Sequence, residues 1–418
     1  MESFSKRLFM QKSIQNKYIL FLFCLLIPFE NSFLGDYGGA FTKSLAFLIL
    51  PIMLLFIVIG FSRGIYQQQL VVIKIFCVFF IYSLLMSFNF LGFDAYFVYD
   101  RGLRFFLIST PPVIIILFLL HFDEQHLKSG VIVCFSIVLF SYFLNLIFPD
   151  FINGRSFLQN SEALSSHRLR GFTLEASTFG FQLVLSTLLF SFYIKRNKFI
   201  LPILVLLSIS TTSKGSLICL LLSIACYMFV VNKNKSKFFL IPVSIIVFYY
   251  IFNVFVLPSL MNDMENYTTV VTRGSVMFLS LLSVFNYPLG AGYFGYLPVF
   301  YTLGGDAVNL FSFFFPDHTN FSEIDSYLVP YTTESVGAKS FLFDWVIFMG
   351  LPFIYFFIKF NFYLLRMFYS LQMQVEFIAT CFLFLSLCFY VPFETRYIAP
   401  FAYVVLFSRI RSGVRSVQ

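Results

Sequence analysis

A long series of apolar runs, bounded by Gly, Pro, Asn or charged residues, is the feature that most limits how this chain can fold. Twelve such runs follow one another, at 18–34, 44–61, 70–90, 105–120, 130–148, 177–194, 199–211, 215–231, 238–256, 340–360, 375–392 and 397–407. A helix needs about 20 apolar residues to cross a bilayer. The pattern predicts an all-α, polytopic integral membrane protein with about twelve transmembrane helices in a single membrane domain, 1–418.

The composition excludes the soluble classes of protein. Charged residues make up 11% of the chain, whereas soluble domains carry roughly 25%. So few charges cannot cover a water-facing surface. A secreted, cytosolic or nucleic-acid-binding protein is therefore excluded, in spite of the formal net charge of +8. The 7 cysteines all fall inside apolar runs, where we expect them to fill the core.

The distribution of charge predicts the orientation of the helices. With the N-terminus in the cytoplasm, most Lys and Arg fall in cytoplasmic segments and most of the 20 acidic residues fall outside. The basic N-terminal tail precedes an apolar run without a small-residue cleavage site, so we expect the first span to remain as an anchor. Both termini are therefore predicted to be cytoplasmic.

Two of the predicted outer loops are long, 149–176 and 257–339. The second contains an amphipathic stretch at 276–285, which predicts short helices lying in the membrane interface. Turn signals follow that stretch, at Pro288, Gly290, Gly292, Gly304 and Gly305. We expect the chemistry of the protein to take place on this outer side.

Basic residues kept on the acidic outer side point to an anionic ligand. We expect some of them to pair with nearby acids or to reach lipid headgroups, namely Lys43, Arg101, Arg104 and Arg396. Five others lie close to the bilayer plane: Arg168, Arg170, Lys214, Arg273 and Lys339. Arg and Lys at a half-desolvated interface suit the oxygens of a lipid-linked pyrophosphate, with no metal ion or cofactor required.

Four segments resemble motifs of the O-antigen polymerase (Wzy) family, within the superfamily of O-antigen ligases and polymerases. They are RGFTLEAS at 170–177, TSKG at 212–215, Arg273 followed by NYPLGAG at 286–292, and AKSF at 338–341 followed by MGLP at 349–352. Ala176 stands where Pro is usual, and Lys339 stands where the ligases carry His. The Lys favours a polymerase over a ligase.

The resemblance implies a membrane glycosyltransferase of the bacterial inner membrane that joins sugar repeat units carried on undecaprenyl pyrophosphate at the periplasmic face. Arg170 and Arg273 would hold the donor and acceptor pyrophosphates, with Lys214 assisting. Glu175 would orient Arg170 or deprotonate the acceptor hydroxyl, and capping of the helix that follows is an equally good interpretation. Lys339 completes the predicted catalytic residues.

Two more residues are predicted to contact substrate. Arg155 would contact the glycan or be an ordinary loop charge, and His318 would be the base or a solvated loop residue. The expected partners are the lipid-linked donor and acceptor and the bilayer, and a polysaccharide chain-length regulator is left open.

Two alternative functions are a lipid-linked oligosaccharide flippase and an O-antigen ligase. A flippase would favour ionisable groups at mid-membrane depth and an internal repeat, and the sequence shows neither clearly.

Overall fold

The computed structural model describes residues 17–38, 43–62, 64–163, 168–194, 200–231, 268–315, 320–332, 336–337, 339–393 and 396–417, with 246, 249–250, 253–254, 257–258 and 261. The described chain is all-helical, as predicted. Its longer helices are α1 (Lys17–Leu26), α2 (Leu50–Phe61), α3 (Gln67–Met86), α4 (Ala95–Leu119), α5 (Glu124–Ile147), α6 (Ala176–Ser191), α7 (Ile200–Ser210), α8 (Lys214–Val231), α9 (Thr268–Asn286), α10 (Gly292–Phe314), α11 (Ser322–Leu328), α12 (Phe341–Ser370), α13 (Gln374–Phe389) and α14 (Ile398–Val417).

Four of these helices are long and apolar enough to cross a membrane. They are α3 with the 3₁₀ turn that follows it, α4, α5 and α12. Shorter apolar helices occupy most of the other predicted runs, and the run at 238–256 lies largely outside the described residues. A membrane protein is thus supported, while the total of twelve spans, the sides of the termini and the periplasmic position of the loops stay predictions.

The first predicted run, 18–34, is helical only as far as Leu26. Pro28 lies two residues further on, and a proline disfavours helical backbone at the residue before it, here Ile27, and supplies no N–H of its own. Glu30 and Asn31 then begin a non-helical polar segment, which makes this helix shorter than the apolar run suggested.

Residues 1–77, 108–212 and 394–418 form one compact unit, called unit 1. Here α5 packs against α1, α6 and α14, and α6 packs against α7. Nearly every residue of α6 is buried, because its side chains are apolar or small on all sides of the helix. Gly130 on α5 allows the close approach of α1, since a Cβ there would lie 2.7 Å from the Cys24 sulfur.

Residues 78–107 and 213–393 form a second compact unit, called unit 2. Its helices α9 and α10 pack closely together, and α12 packs against α9, α10 and α13. The helices in the predicted loop 257–339 are therefore not short: α9 has 19 residues and α10 has 23. Gly304 and Gly305 lie inside α10, so the prediction of turns there is wrong.

The turn between α9 and α10 interlocks with a break in α12. Gly350 has φ +60° and interrupts α12, and Gly290 has φ +88° in the turn. The Leu351 N–H donates to the Pro288 carbonyl at 2.9 Å, and the Ala291 N–H donates to the Ile347 carbonyl at 2.8 Å. Two of the segments that carry the family resemblance, 286–292 and 349–352, are therefore parts of one structural feature.

Candidate functional site

A carboxylate in unit 2, that of Glu323, accepts hydrogen bonds from side chains of α9. Glu323, in the first turn of α11, accepts from the hydroxyl of Thr268 at 2.8 Å and from that of Thr272 at 3.0 Å. Thr272 directly precedes Arg273, so these bonds fix the turn of α9 that carries Arg273, the residue predicted to bind a pyrophosphate.

Lys339 completes this cluster. Its ammonium donates to Glu323, which also accepts from the Tyr327 hydroxyl at 2.9 Å. Burial alone would raise the pKa of Glu323, but the hydrogen bond and the charge of Lys339, with the hydroxyls of Thr268 and Tyr327, hold it below its ordinary value. Glu323 is therefore an anion, and it offsets one positive charge of the cluster.

The C-terminal end of α13 brings Lys339 and Arg273 to one region of unit 2. Ser340, which directly follows Lys339, donates its hydroxyl to the Cys388 carbonyl at 2.8 Å, and the Phe341 N–H donates to Val391 at 2.9 Å. Arg273 lies close enough to Tyr390, just beyond α13, for its charge to act on the phenol.

Lys214 begins α8 at the same region. A Cβ on the adjacent Gly215 would lie 3.2 Å from the Tyr390 ring, so this turn packs directly on Tyr390. The segments that carry Lys214, Arg273 and Lys339 therefore lie around the end of α13. The partial negative charge of a helix C-terminus favours cations there. We call these three residues with Glu323 and Tyr390 the unit 2 cation cluster.

Arg170 lies in unit 1, and its guanidinium is bonded to backbone carbonyls of the protein. Its side chain donates to the carbonyls of Ile152 at 2.7 Å, Ser161 at 2.8 Å and Gly154 at 3.4 Å. The residue is only 2% exposed. Binding a pyrophosphate through Arg170 would require these bonds to break. The described geometry instead shows Arg170 holding the loop that follows α5.

Glu175 and Arg155 also lie in unit 1. Glu175 occupies the N-cap position of α6, but its carboxylate accepts from the Ser177 hydroxyl at 3.1 Å instead of capping a backbone N–H. Arg155 forms an exposed ion pair with Asp36 at 3.0 Å. His318 lies outside the described residues.

The structure thus groups Lys214, Arg273 and Lys339 in unit 2, while Arg170, Glu175 and Arg155 belong to unit 1. The roles of Arg170 and Arg273 in holding the donor and acceptor pyrophosphates stay predictions.

No family model matches the sequence. A protein of Klebsiella pneumoniae named "Uncharacterized 49.5 kDa protein in cps region" is 33% identical to this chain over 424 residues, which cover 98% of this chain and 97% of that protein. The chain belongs to the same family. Because the match extends over nearly all of both chains, this cps-region family includes both compact units rather than one of them.

This member of the cps-region family also has a buried ion pair that the sequence did not reveal. Arg396 donates to Glu30 at 2.9 Å, and the Glu30 side chain is 1% exposed. Burial raises the pKa of Glu30 to about 7, although the Arg396 charge and the neighbouring Gln182 amide oppose the rise. Burial and the Arg396 charge lower the pKa of Lys43, and Glu175 opposes that change.

The two partners of this ion pair lie near opposite ends of the chain. From the sequence, Arg396 was expected to pair with a nearby acid or to reach a headgroup. The pairing of Arg396 with an acid is confirmed. No local signal in the sequence could have named Glu30 as the partner, because local patterns do not report contacts between distant segments.

Proposed function

We propose that this protein is a surface-polysaccharide polymerase that joins repeat units carried on undecaprenyl pyrophosphate. In this reaction an acceptor hydroxyl attacks the anomeric carbon of the donor sugar, the bond from that carbon to the pyrophosphate oxygen breaks, and the hydroxyl proton passes to a base. The lipid pyrophosphate leaves with increased negative charge. Positively charged side chains placed near the leaving pyrophosphate lower the activation barrier of the reaction.

The unit 2 cation cluster is the observation that carries the proposal. Arg273 would meet the pyrophosphate oxygens through its planar fork, and Lys214 and Lys339 would add point charges. Glu323 offsets one of these three charges and keeps Lys339 in place. The cluster surrounds the end of α13 that the sequence predicts to face the periplasm. Arg170 has a supporting role in this proposal, because its N–H groups already serve the loop of unit 1.

The family relationship supports the same class of process. The Klebsiella pneumoniae relative is named for the cps region, and cps denotes capsule polysaccharide. A membrane protein of such a region suits the assembly of lipid-linked sugars, and the order of the four motif segments favours polymerisation over the other steps of that assembly.

The test is deletion of the gene in its host, followed by gel analysis of surface polysaccharide and extraction of lipid-linked sugars. For a polymerase we expect loss of the long-chain ladder, with single repeat units retained at the periplasmic face. Accumulation of repeat units on the cytoplasmic face would indicate a flippase instead. Finished long chains still attached to the lipid carrier would indicate a ligase.

Complementation then tests the assigned residue. Arg273→Ala should leave only single repeat units, and Arg273→Lys should rescue poorly because a point charge cannot replace a planar fork. Arg104→Ala is the matched control, since Arg104 is an exposed arginine of unit 2 that pairs with Asp100 at 3.0 Å. A normal ladder with Arg273→Ala at wild-type protein level would remove Arg273 from the site.

A further inference from the structure

We infer that Glu323 is a positioning residue that fixes the Lys339 ammonium and the Arg273 turn of α9 in one arrangement. This inference deepens the proposed function, because it concerns the same cation cluster.

The argument begins with the number of donors on one carboxylate. One oxygen of Glu323 accepts from Thr268 and Thr272, both on α9. The other oxygen accepts from Tyr327 and from Lys339. An ionised carboxylate offers about four acceptor positions, so these four donors use its capacity. Glu323 is therefore unsuited to act as a base or to take up a sugar hydroxyl.

The backbone at Lys339 gives a second, independent observation. Lys339 has φ +56°, a left-handed conformation that residues with a side chain rarely adopt. The residues after it are tied to the end of α13 through Ser340 and Phe341. The backbone and the side chain of Lys339 are thus both held, and Glu323 is what holds the side chain.

Glu323 also joins three separate segments of unit 2. Its bonds reach α9 through Thr272, the segment before α12 through Lys339, and its own helix α11 through Tyr327. Thr272 is fully buried, so this turn of α9 has little freedom to shift. Removing the carboxylate charge would release Lys339 and loosen the turn of Arg273 together.

The first measurement does not depend on enzymatic activity. In the full-length protein in nanodiscs, acylation of Lys339 by acetic anhydride is followed by mass spectrometry in wild type and Glu323→Gln. We expect Lys339 to react about tenfold faster in the variant, the effect of losing one hydrogen bond to a charged group. Asp325→Asn is the matched control, because Asp325 is an exposed acid of the same helix. Its labelling rate should equal that of wild type.

Glu323→Asp keeps the charge but shortens the side chain by one carbon. It should give a Lys339 labelling rate between those of wild type and Glu323→Gln, and it replaces Glu323→Gln in the experiment if that variant fails to fold. An unchanged Lys339 rate in whichever of the two variants folds would overturn the inference.

The second measurement uses polymerisation of lipid-linked repeat units. Glu323→Gln should lower kcat at least tenfold with little change in KM, because misplaced cations fail to stabilise the leaving group. Glu323→Asp should recover part of kcat. Equal kcat for wild type and Glu323→Gln would overturn the link to the reaction. If wild type does not polymerise, the proposed function fails, while the labelling result still decides whether Glu323 positions Lys339.

Discussion

The Glu30–Arg396 ion pair predicts an unusual dependence of stability on pH. A carboxyl whose pKa is about 7 in the fold and near 4.5 in the unfolded chain binds its proton more tightly when folded. Its contribution to stability is therefore fully present below about pH 4.5 and is lost as the pH rises through about 7. The perturbation that tests this is Glu30→Gln, which keeps the shape of the side chain and removes its titration.

The magnitude follows from the difference between the two pKa values. Since one pKa unit corresponds to about 1.36 kcal/mol, wild type should lose about 3 kcal/mol of unfolding free energy between about pH 4 and about pH 8. The neighbouring groups are Arg396, Tyr397, Gln182 and the Cys134 thiol. Of these, Arg396 keeps its charge over the whole range, so the change is assigned to Glu30.

The assay is denaturation of the purified protein in detergent at several pH values. Glu30→Gln should reduce the dependence on pH to a small remainder, and Asp36→Asn, which changes an exposed acid of unit 1, should retain the wild-type dependence. Two results would refute the reasoning: a wild-type stability that does not fall over this interval, or a Glu30→Gln protein that keeps the full fall.

Two further predictions concern the loops. Arg170→Lys should lower the unfolding free energy by about 2 kcal/mol or more. The compact ammonium lacks the spread of the planar guanidinium that reaches three separate carbonyls, and each buried carbonyl left unsatisfied costs about 1–3 kcal/mol. A denaturation midpoint equal to that of wild type would contradict this. Gly290→Ala should prevent accumulation of folded protein, because the added Cβ would lie 2.3 Å from the Phe348 carbonyl oxygen. Gly305→Ala, inside α10 with open space around the added Cβ, should instead stabilise the protein by about 0.5–1 kcal/mol. Equal yields of the two variants on size-exclusion chromatography would contradict the prediction for Gly290→Ala.

The apolar runs were sufficient to locate the helices, but they did not always show where a helix begins or ends. The run at 105–120 was limited by the charges at Arg101 and Arg104, yet α4 begins at Ala95. Both arginines are accommodated on the helix, since Arg101 donates to the Thr332 carbonyl at 2.9 Å and Arg104 pairs with Asp100. Charge therefore marks the end of an apolar run without marking the end of a helix.

The cationic residues of the candidate site could be predicted from the sequence, but the residues that contact them could not. Lys214, Arg273 and Lys339 were chosen from motif and position, and the structure places them around one helix end. The contributions of Glu323 and Tyr390 were missed, because each depends on a contact between segments distant in the sequence. Arg170 is buried and bonded to backbone carbonyls of unit 1. The sequence could not reveal this, because burial of a loop residue leaves no periodic pattern.

The interlocked glycines of unit 2 have a consequence for engineering this protein. A Cβ on Gly290 would lie 2.3 Å from the Phe348 carbonyl oxygen, and a Cβ on Gly350 would lie 2.3 Å from the Pro288 carbonyl oxygen. The Leu351 N–H donates to the Pro288 carbonyl and holds the two segments in register. A change in length on one side would shift the other out of alignment. Chimaeras between members of the family should therefore exchange both segments together, since a hybrid that inherits one from each parent would combine two surfaces that were never fitted to each other.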